Sequence, residues 1–509
     1  GEERQTYGDV MLNLSKTFKE KFSLDAHIGA SIKDNRFDEL SVYGPIAGAP
    51  NIFNVVNLDK SQKKTPKTGW HEQTQSFFYS LELGWKSQLF VTTTGRNDWA
   101  SQLANSPQKS FFYPSVGVSW LPSSTFNFPE KFNYLKIRAS WASVANPFPR
   151  ELTIATHPYD DTISGWDDKS NYPIGQLYPE RTKTWELGFD ARFLHGFTLS
   201  ASWYRADTYN QTFNPNLSAS SGYSDIYIQT GHVRNTGVEA SLGYDHQWKN
   251  WNWNSQFTFS WNKNKIIELC KEWYNPITEE TITMNRLQIS KLGRAKFILK
   301  EGGSMGDLYS TTDLRRDDKG NIEIDEGGNV VVEDNLPDMK LGSVFPDYNL
   351  AWRNSVSWKN LNLGFLVTAR IGGIVNSLTQ ANMDLFGVSE ATAAARDAGG
   401  ALVNGRSLVN PETWYTAIAS QGGIPQYYTY SATNVRLQEL SLGYTIPRKW
   451  LHNICSITVS FVGRNLWMMY CKAPFDPEAV ASTNNFYQGM DYFMMPSTRN
   501  LGFNINIKF

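Results

Sequence analysis

The sequence predicts an all-β fold, a transmembrane antiparallel β-barrel, from its residue alternation, its composition and the lengths of its connections. The clearest alternation is in residues 498–509, where every second residue from Leu501 to Phe509 is apolar and the residues between are polar or glycine. Because side chains point to opposite faces along a strand, this segment has one apolar face. In an outer-membrane barrel such a face meets lipid.

The composition of the 509-residue chain fits the same fold. Aromatic residues make up 14% of it, with 18 Trp and 24 Tyr, yet mean hydropathy is negative. No run of about eighteen apolar residues is present, so a transmembrane helix is not expected. A barrel needs only half of each strand to be apolar, because its interior is polar. The net charge of −1 argues against nucleic acid as a partner.

Fifteen segments alternate strongly enough to be predicted as strands, each about 9 to 14 residues long once their polar ends are included, which suits a tilted bilayer crossing. In chain order they centre on 10–15, 22–31, 76–85, 88–96, 114–120, 135–141, 185–192, 197–203, 238–245, 251–262, 350–358, 361–371, 440–446, 457–461 and 498–509.

The connections between these segments are alternately short and long, which predicts short periplasmic turns and long extracellular loops. The long ones are 33–71, 97–110, 146–179, 211–224, 263–346, 377–433 and 468–496. A helix is expected near 411–420. Since the strand number is odd and the last strand ends at the periplasm, we expect the chain to begin within an extracellular loop.

Residues with a predicted role fall into three sets. The polar faces of the strands predict a lumen of mixed charge, lined by Lys136, Arg138, Glu186, Asp190, Arg192, Glu239, Arg353, Arg370, Glu439 and Arg464. Aromatic residues in the long loops are ligand candidates because exposed flat rings stack on sugars: Tyr159, Trp166, Tyr172, Tyr178, Trp414, Tyr415, Tyr427 and Tyr428. Tryptophans near strand ends are expected in the interfacial girdle: Trp85, Trp120, Trp251, Trp253, Trp358 and Trp467.

The sequence gives little support for a metal site or for disulfide bonds. The seven histidines have no metal-binding spacing, and no catalytic motif is evident. An acidic loop offers enough oxygens for calcium but lacks the EF-hand order, so a solvated loop is favoured: Asp313, Asp317, Asp318, Asn321, Asp325 and Glu326. Cys455 and Cys471 are expected at opposite ends of one strand, too far apart to bridge. No metal or cofactor is predicted.

Several stretches resemble the SusC/RagA-type TonB-dependent transporters of the Bacteroidota outer membrane. The resemblance rests on their order and spacing and is strongest in the last 75 residues. The stretches are GRND at 95–98, YPS at 113–115, NTGVE at 235–239, LSLGYTIP at 440–447, GRNL at 463–466, DPE at 476–478, GMD at 489–491 and PSTR at 496–499.

The resemblance implies a barrel of 22 strands, of which these fifteen would be the eighth to the last. Residues 1–509 would then be the C-terminal portion of a TonB-dependent receptor barrel, with the plug domain, the TonB-contacting segment and the first strands outside this chain. It also implies a SusD-like surface lipoprotein as a lid. Similarity to outer-membrane proteins further implies that Phe509 is an assembly signal.

The function expected from this resemblance is active, TonB-dependent import of a large nutrient, an oligosaccharide or an oligopeptide, rather than catalysis. A passive porin or adhesin barrel without energy coupling is the alternative. A secreted β-rich glycan-processing enzyme would need a paired-carboxylate cleft, and the lipid-facing strands argue against it.

Overall fold

The main element is one antiparallel sheet of fifteen strands, each paired with its neighbours in chain order. The computed structural model describes residues 1–150, 152, 159–160, 165–166, 171–172, 177–214, 225–275, 279–482 and 487–509. The strands are β1 (Glu2–Phe18), β2 (Phe22–Leu40), β3 (Lys67–Trp85), β4 (Leu89–Ala100), β5 (Phe111–Trp120), β6 (Phe132–Asn146), β7 (Glu180–Phe193), β8 (Phe197–Phe213), β9 (Ile228–Gln247), β10 (Trp251–Glu268), β11 (Tyr348–Trp358), β12 (Leu361–Ile371), β13 (Asn434–Ile446), β14 (Ser456–Cys471) and β15 (Asn500–Lys508).

All fifteen predicted strands are present, and short and long connections alternate as predicted except around β5, where the connection 121–131 is about as long as 101–110. Several strands are longer than predicted at the ends that lead into long connections. For example, β2 runs to Leu40 and β3 begins at Lys67, so both extend into the stretch 33–71 that was predicted as a loop. The added residues are mostly polar and continue the ladder beyond the apolar band, where apolar alternation gives little signal.

The pairing register separates the strand side chains into two faces. Phe189, Ala201, Ala240 and Phe259 lie opposite one another across β7 to β10, and the rows above and below them on this face are also largely apolar. We call this the outer face. Its large side chains are exposed in the isolated chain, which is expected of surfaces that meet lipid.

The described residues of three long connections, 269–347, 372–433 and 472–499, fold together above one end of the sheet, and we call them the loop domain. Its core draws on all three, since Phe297, Leu378 and Met490 pack in one buried cluster. Its strands are Cys270–Asn275, Glu280–Met284, Arg286–Leu292, Ala295–Lys300, Asp307–Ser310, Asp313–Leu314, Val332–Glu333, Met339–Ser343, Ile374–Ser377, Ala401–Val403, Ser407–Val409, Thr429–Ser431 and Met490–Asp491.

The helices are short. The first, α1 (Pro122–Thr125), lies in a short connection, and the loop domain holds α2 (Leu378–Leu385), α3 (Glu390–Asp397) and α4 (Pro411–Ala419). The predicted helix near 411–420 is confirmed by α4, which Asn410 caps; α2 and α3 were not predicted. Outside the main sheet and the loop domain, the described residues form four further two-residue strands: Tyr159–Asp160, Gly165–Trp166, Asn171–Tyr172 and Asp225–Ile226. Short 3₁₀ helices lie at Val55–Asn57, Ser101–Leu103, Ser420–Gly422, Pro425–Tyr427 and Arg448–Leu451. In the described part of the chain, no helix is long and apolar enough to cross a membrane.

The sheet has two free edges in the described residues. β1 pairs with β2 and β15 pairs with β14, and no ladder joins β1 to β15. Both edge strands are exposed along their whole length.

The positions of two cysteines agree with the prediction. Cys455 directly precedes β14 and Cys471 ends it, so the two lie at opposite ends of one strand.

Candidate functional site

The inner face of the sheet carries polar and charged side chains in rows that cross many strands. One row spans eight strands from β6 to β13 and brings three of the predicted lumen residues, Arg138, Glu239 and Arg370, to the same level. Its members, in strand order, are Arg138, Gly188, Ser202, Glu239, Ser260, Asn349, Arg370 and Asn434.

Gly188 provides the space in which Arg138 lies across the inner face. A Cβ built on Gly188 would lie 2.7 Å from the guanidinium carbon of Arg138. From this position Arg138 contacts Asp190 at 2.8 Å and Glu186 at 3.6 Å. Ser200 donates a further hydrogen bond to Asp190. Three predicted lumen residues are therefore joined in one ionic cluster.

A cavity of about 700 Å³ lies against this face. Arg138 of β6 and Arg370 of β12 both line it, together with Glu239 and with Glu478 from the loop domain. Residues six strands apart in the sheet can share a cavity only if the sheet curves around it, so the inner face is concave. Arg370 donates to the Val344 carbonyl at 3.0 Å, while its buried Nε has no partner among the described residues.

The remaining predicted lumen residues lie on the same inner face. Lys136 is opposite Asp190, and a lower row contains Arg192, Arg353, Glu439 and Arg464. Two of these, Glu439 and Arg464, form an ion pair at 3.2 Å. The Arg192 guanidinium lies over the Tyr134 ring, 5.1 Å from its centroid. All ten predicted residues thus share one face.

The loop domain is anchored to the inner face by Arg436, which the sequence analysis did not single out. This buried arginine of β13 donates two hydrogen bonds to Asp476, at 2.8 and 3.2 Å, and lies 3.5 Å from Glu478. Burial opposes ionisation of Asp476, but the hydrogen bonds from Arg436, from the Glu478 N–H and from Ser497, together with the charge of Arg436, outweigh it and lower the pKa of this carboxyl. The sequence signal that could have identified this anchor is the DPE stretch at 476–478, which is one of the stretches that resemble the SusC/RagA-type family.

The loop aromatics differ in how far their rings are available. Tyr178 is exposed, whereas Trp414, Tyr415 and Tyr427 are half-buried. Tyr428 is buried and its hydroxyl donates to Asp384 at 3.0 Å, so its ring is not exposed as the stacking hypothesis requires. Burial, with Asp384 nearby, raises the Tyr428 pKa well above its usual range. The side chains of Tyr159, Trp166 and Tyr172 lie outside the described residues.

The acidic loop considered for calcium forms two successive turns of the same design. Asp317 accepts hydrogen bonds from the backbone N–H and side chain of Asn321, and Asp325 does the same with Asn329. These bonds lower the pKa of both carboxyls. Their carboxylates thus have a structural use without an ion. Across the residues that the structure describes, no group of three or more His, Cys, Asp or Glu is arranged to hold a metal.

A curved antiparallel sheet with an apolar outer face, a charged concave inner face and long loops at one end defines a transmembrane β-barrel. A family model described as "TonB dependent receptor-like, beta-barrel" matches residues 2–466. The chain belongs to this family, whose members are receptors and transporters of the outer membrane.

Two relatives and one solved structure agree with this assignment. The chain is 26% identical to TonB-dependent receptor P3 of Formosa agariphila over 98% of the chain and 52% of that protein. It is 21% identical to the TonB-dependent receptor SusC of Bacteroides thetaiotaomicron, over 74% of the chain and 38% of SusC. The structure of the RagAB peptide transporter matches the whole chain with a TM-score of 0.75 and 18% identity, using 56% of the matched chain.

These matches confirm the resemblance to SusC/RagA-type proteins that the sequence motifs indicated. The chain spans about half the length of the Formosa agariphila relatives it matches.

Proposed function

We propose that this chain is part of an active importer of a large polar nutrient, an oligopeptide or an oligosaccharide, across the outer membrane. The single observation that supports this most is the inner-face row of Arg138, Glu239 and Arg370 around a cavity of about 700 Å³. Charged groups that converge on a cavity below a folded loop domain are suited to binding a polar ligand that enters from outside.

The proposal includes further parts of the receptor. We infer that residues 1–509 form the C-terminal portion of the barrel and that other strands, a plug domain and a TonB-contacting segment complete it. The free edges of β1 and β15 support this, since a membrane-spanning sheet needs closed edges to satisfy its backbone hydrogen bonds. The total of 22 strands and the role of Phe509 remain predictions.

A SusD-like lipoprotein is the proposed partner on the extracellular side. The loop domain offers it a folded platform with exposed apolar residues, among them Phe386, Val388, Leu402 and Leu408. Tyr178, Trp414, Tyr415 and Tyr427 are proposed to contact substrate near this platform. Purification of the receptor in mild detergent, followed by identification of every bound chain, tests the partnership: recovery of the receptor without any lipoprotein would contradict it.

Uptake assays test the transport proposal itself. Cells that carry the receptor are given labelled oligopeptides and oligosaccharides of matched mass, with and without a protonophore. An active importer loses uptake when the proton gradient collapses, whereas a passive porin keeps it and an adhesin shows none.

Variants on the inner face sharpen this test. Arg370→Gln removes a charge that lines the cavity, and Arg353→Gln removes an equal charge from the lower row of the same face. We expect Arg370→Gln to reduce uptake several-fold more than Arg353→Gln at equal expression. Equal uptake by the two variants would show that the cavity is not the binding site.

A further inference from the structure

Basic side chains are concentrated on the outer face of β7 to β10, at the ends nearest the long loops. The highest fully apolar row there contains Leu187, Trp203, Val238 and Trp261. The next rows carry Lys and Arg residues on all four strands, and we call these the basic band. Its members are Arg181, Lys183, Arg205, Arg234, Lys263 and Lys265.

The register gives the height of this band relative to the membrane. On the outer face, Trp251 pairs with Trp358 near the short turns, and Trp261 lies at the upper limit of the apolar rows. Ten residues of β10 separate the two levels, which is about 25 Å at 3.3 Å per residue and a tilt of about 40°. Outer-membrane barrels have an apolar band of about this height. The basic band therefore begins at the extracellular membrane surface.

Carboxylates neutralise only part of the basic band. Asp207 contacts Nε of Arg205 at 2.9 Å, Nε of Arg234 at 2.7 Å and Nε2 of His232 at 2.5 Å. Glu268, opposite His232 in the register, is the other carboxylate in these rows. Six permanent cations thus face two anions. Among the described residues, the terminal guanidinium nitrogens of Arg205 and Arg234 have no recorded partner, and both can donate to an oxyanion.

Two other parts of the outer face, on β1 to β3 and on β14, carry no such excess. On the extended ends of β1 to β3 the charges occur as adjacent acid–base pairs: Arg4 with Glu2, Arg36 with Asp38, and His71 with Asp34. On β14, the exposed side chains near the long connection are instead apolar: Trp467, Met469 and Tyr470. Of these three regions, only β7 to β10 carries excess positive charge.

We propose that the basic band binds the phosphate groups of anionic lipids in the outer leaflet. The inference rests on the membrane orientation assumed in the proposed function, but not on transport. The acyl chains would lie along the apolar rows that contain Leu187 and Trp203, directly below the band. Arg205 and Arg234 would donate paired hydrogen bonds to phosphate oxygens, and Lys183, Lys263 and Lys265 would add charge. A soluble substrate is a poorer occupant, because the band lies on the face opposite the cavity.

Native mass spectrometry of the detergent-purified receptor tests this proposal. The probes are diphosphorylated lipid A, monophosphorylated lipid A, phosphatidylcholine and inorganic pyrophosphate. The test variant is Lys183→Gln/Lys263→Gln/Lys265→Gln, which leaves the Asp207 contacts in place. Its matched control is Lys86→Gln/Lys249→Gln/Lys359→Gln, which removes three exposed lysines from the short turns at the opposite membrane surface. Heat-modified gel mobility confirms that each variant is folded.

We expect diphosphorylated lipid A to bind most tightly, and the test variant to weaken this binding at least about tenfold while the control variant does not. Equal weakening in both variants, or equal binding of phosphatidylcholine, would overturn the proposal. Pyrophosphate binding as tight as that of the lipid would reassign the band to a soluble anion. Since the readout is lipid binding, loss of uptake with intact lipid binding would contradict the proposed function alone.

Discussion

The outer face of the sheet and the loop domain both present apolar side chains on strands, yet they bury them against different surroundings. On the outer face, Leu187 is 53% exposed and Phe503 is 80% exposed in the isolated chain. In the loop domain, Phe297 and Met490 are fully buried. The two regions of one chain thus bury apolar surface in different ways. The fifteen-stranded sheet relies on lipid to cover its outer face, whereas the loop domain forms a core of its own, as a water-soluble domain does.

The largest effect should come from breaking the junction between these two regions. Arg436→Ala leaves Asp476 and Glu478 without their buried cation, which we expect to cost about 3–5 kcal/mol. Hydrogen exchange of residues 472–482 and 487–499 should rise strongly, while exchange in the strands stays low. The matched control, Arg436→Met/Asp476→Asn/Glu478→Gln, removes all three charges and should restore much of the protection. Unchanged exchange in Arg436→Ala would mean that the junction does not hold the loops.

Truncation of one phenylalanine in each region compares the two solvents directly. Phe297→Ala creates a cavity in the loop-domain core and should cost about 3–5 kcal/mol. Phe189→Ala, on the outer face, should cost much less, because mobile lipid or detergent chains fill the space. Chemical denaturation of the detergent-solubilised receptor, with hydrogen exchange to locate the opening, measures both. Equal costs would show that the outer face is packed by protein.

Introduction of a charge gives the reverse comparison. Phe257 lies near the middle of the apolar rows, four residues of β10 from Trp261 and six from Trp251, so Phe257→Arg should destabilise the barrel by about 2–4 kcal/mol. Phe386 is 75% exposed at the surface of the loop domain, and Phe386→Arg should change stability by no more than about 0.5 kcal/mol. Reconstitution into bilayers followed by reversible unfolding measures both. A mild effect of Phe257→Arg would contradict lipid contact at this position.

As pH falls, the loop domain should unfold before the fifteen-stranded sheet does. The pKa of Asp338 is held well below its usual value by hydrogen bonds from Arg286 and, against the effect of burial, from Lys300. A lowered folded-state pKa stabilises the fold above the unfolded-state value of about 3.9, and this contribution is lost as pH falls further. Fluorescence of Trp273 and Trp414 under acid titration should report earlier loop unfolding than strand loss. Asp338→Asn should be less stable at neutral pH and less sensitive to acid.

The sequence was sufficient to predict the fifteen-stranded sheet, because apolar and polar residues must alternate along a membrane strand. This constraint is local, so it can be read from neighbouring residues. Each of the ten lumen candidates could be assigned to the inner face by parity alone. The loop domain was harder to predict, since Phe297, Leu378 and Met490 meet only through tertiary contacts among three connections. The exposure of the aromatic rings could not be predicted from the sequence either. Tyr427 and Tyr428 are adjacent in sequence, but Tyr428 is buried and Tyr427 is only half-buried.

The shared core of the loop domain has a consequence for the order of folding. Phe297 and Met490 are close in space but are separated by 193 positions in the sequence, and β11 to β14 lie between them. Contacts between such distant residues form late, because a long stretch of chain must first be ordered. The loop core can therefore close only after the intervening strands have paired in register. A protease-resistant loop domain would then serve as a marker of correct barrel assembly, visible from the cell surface.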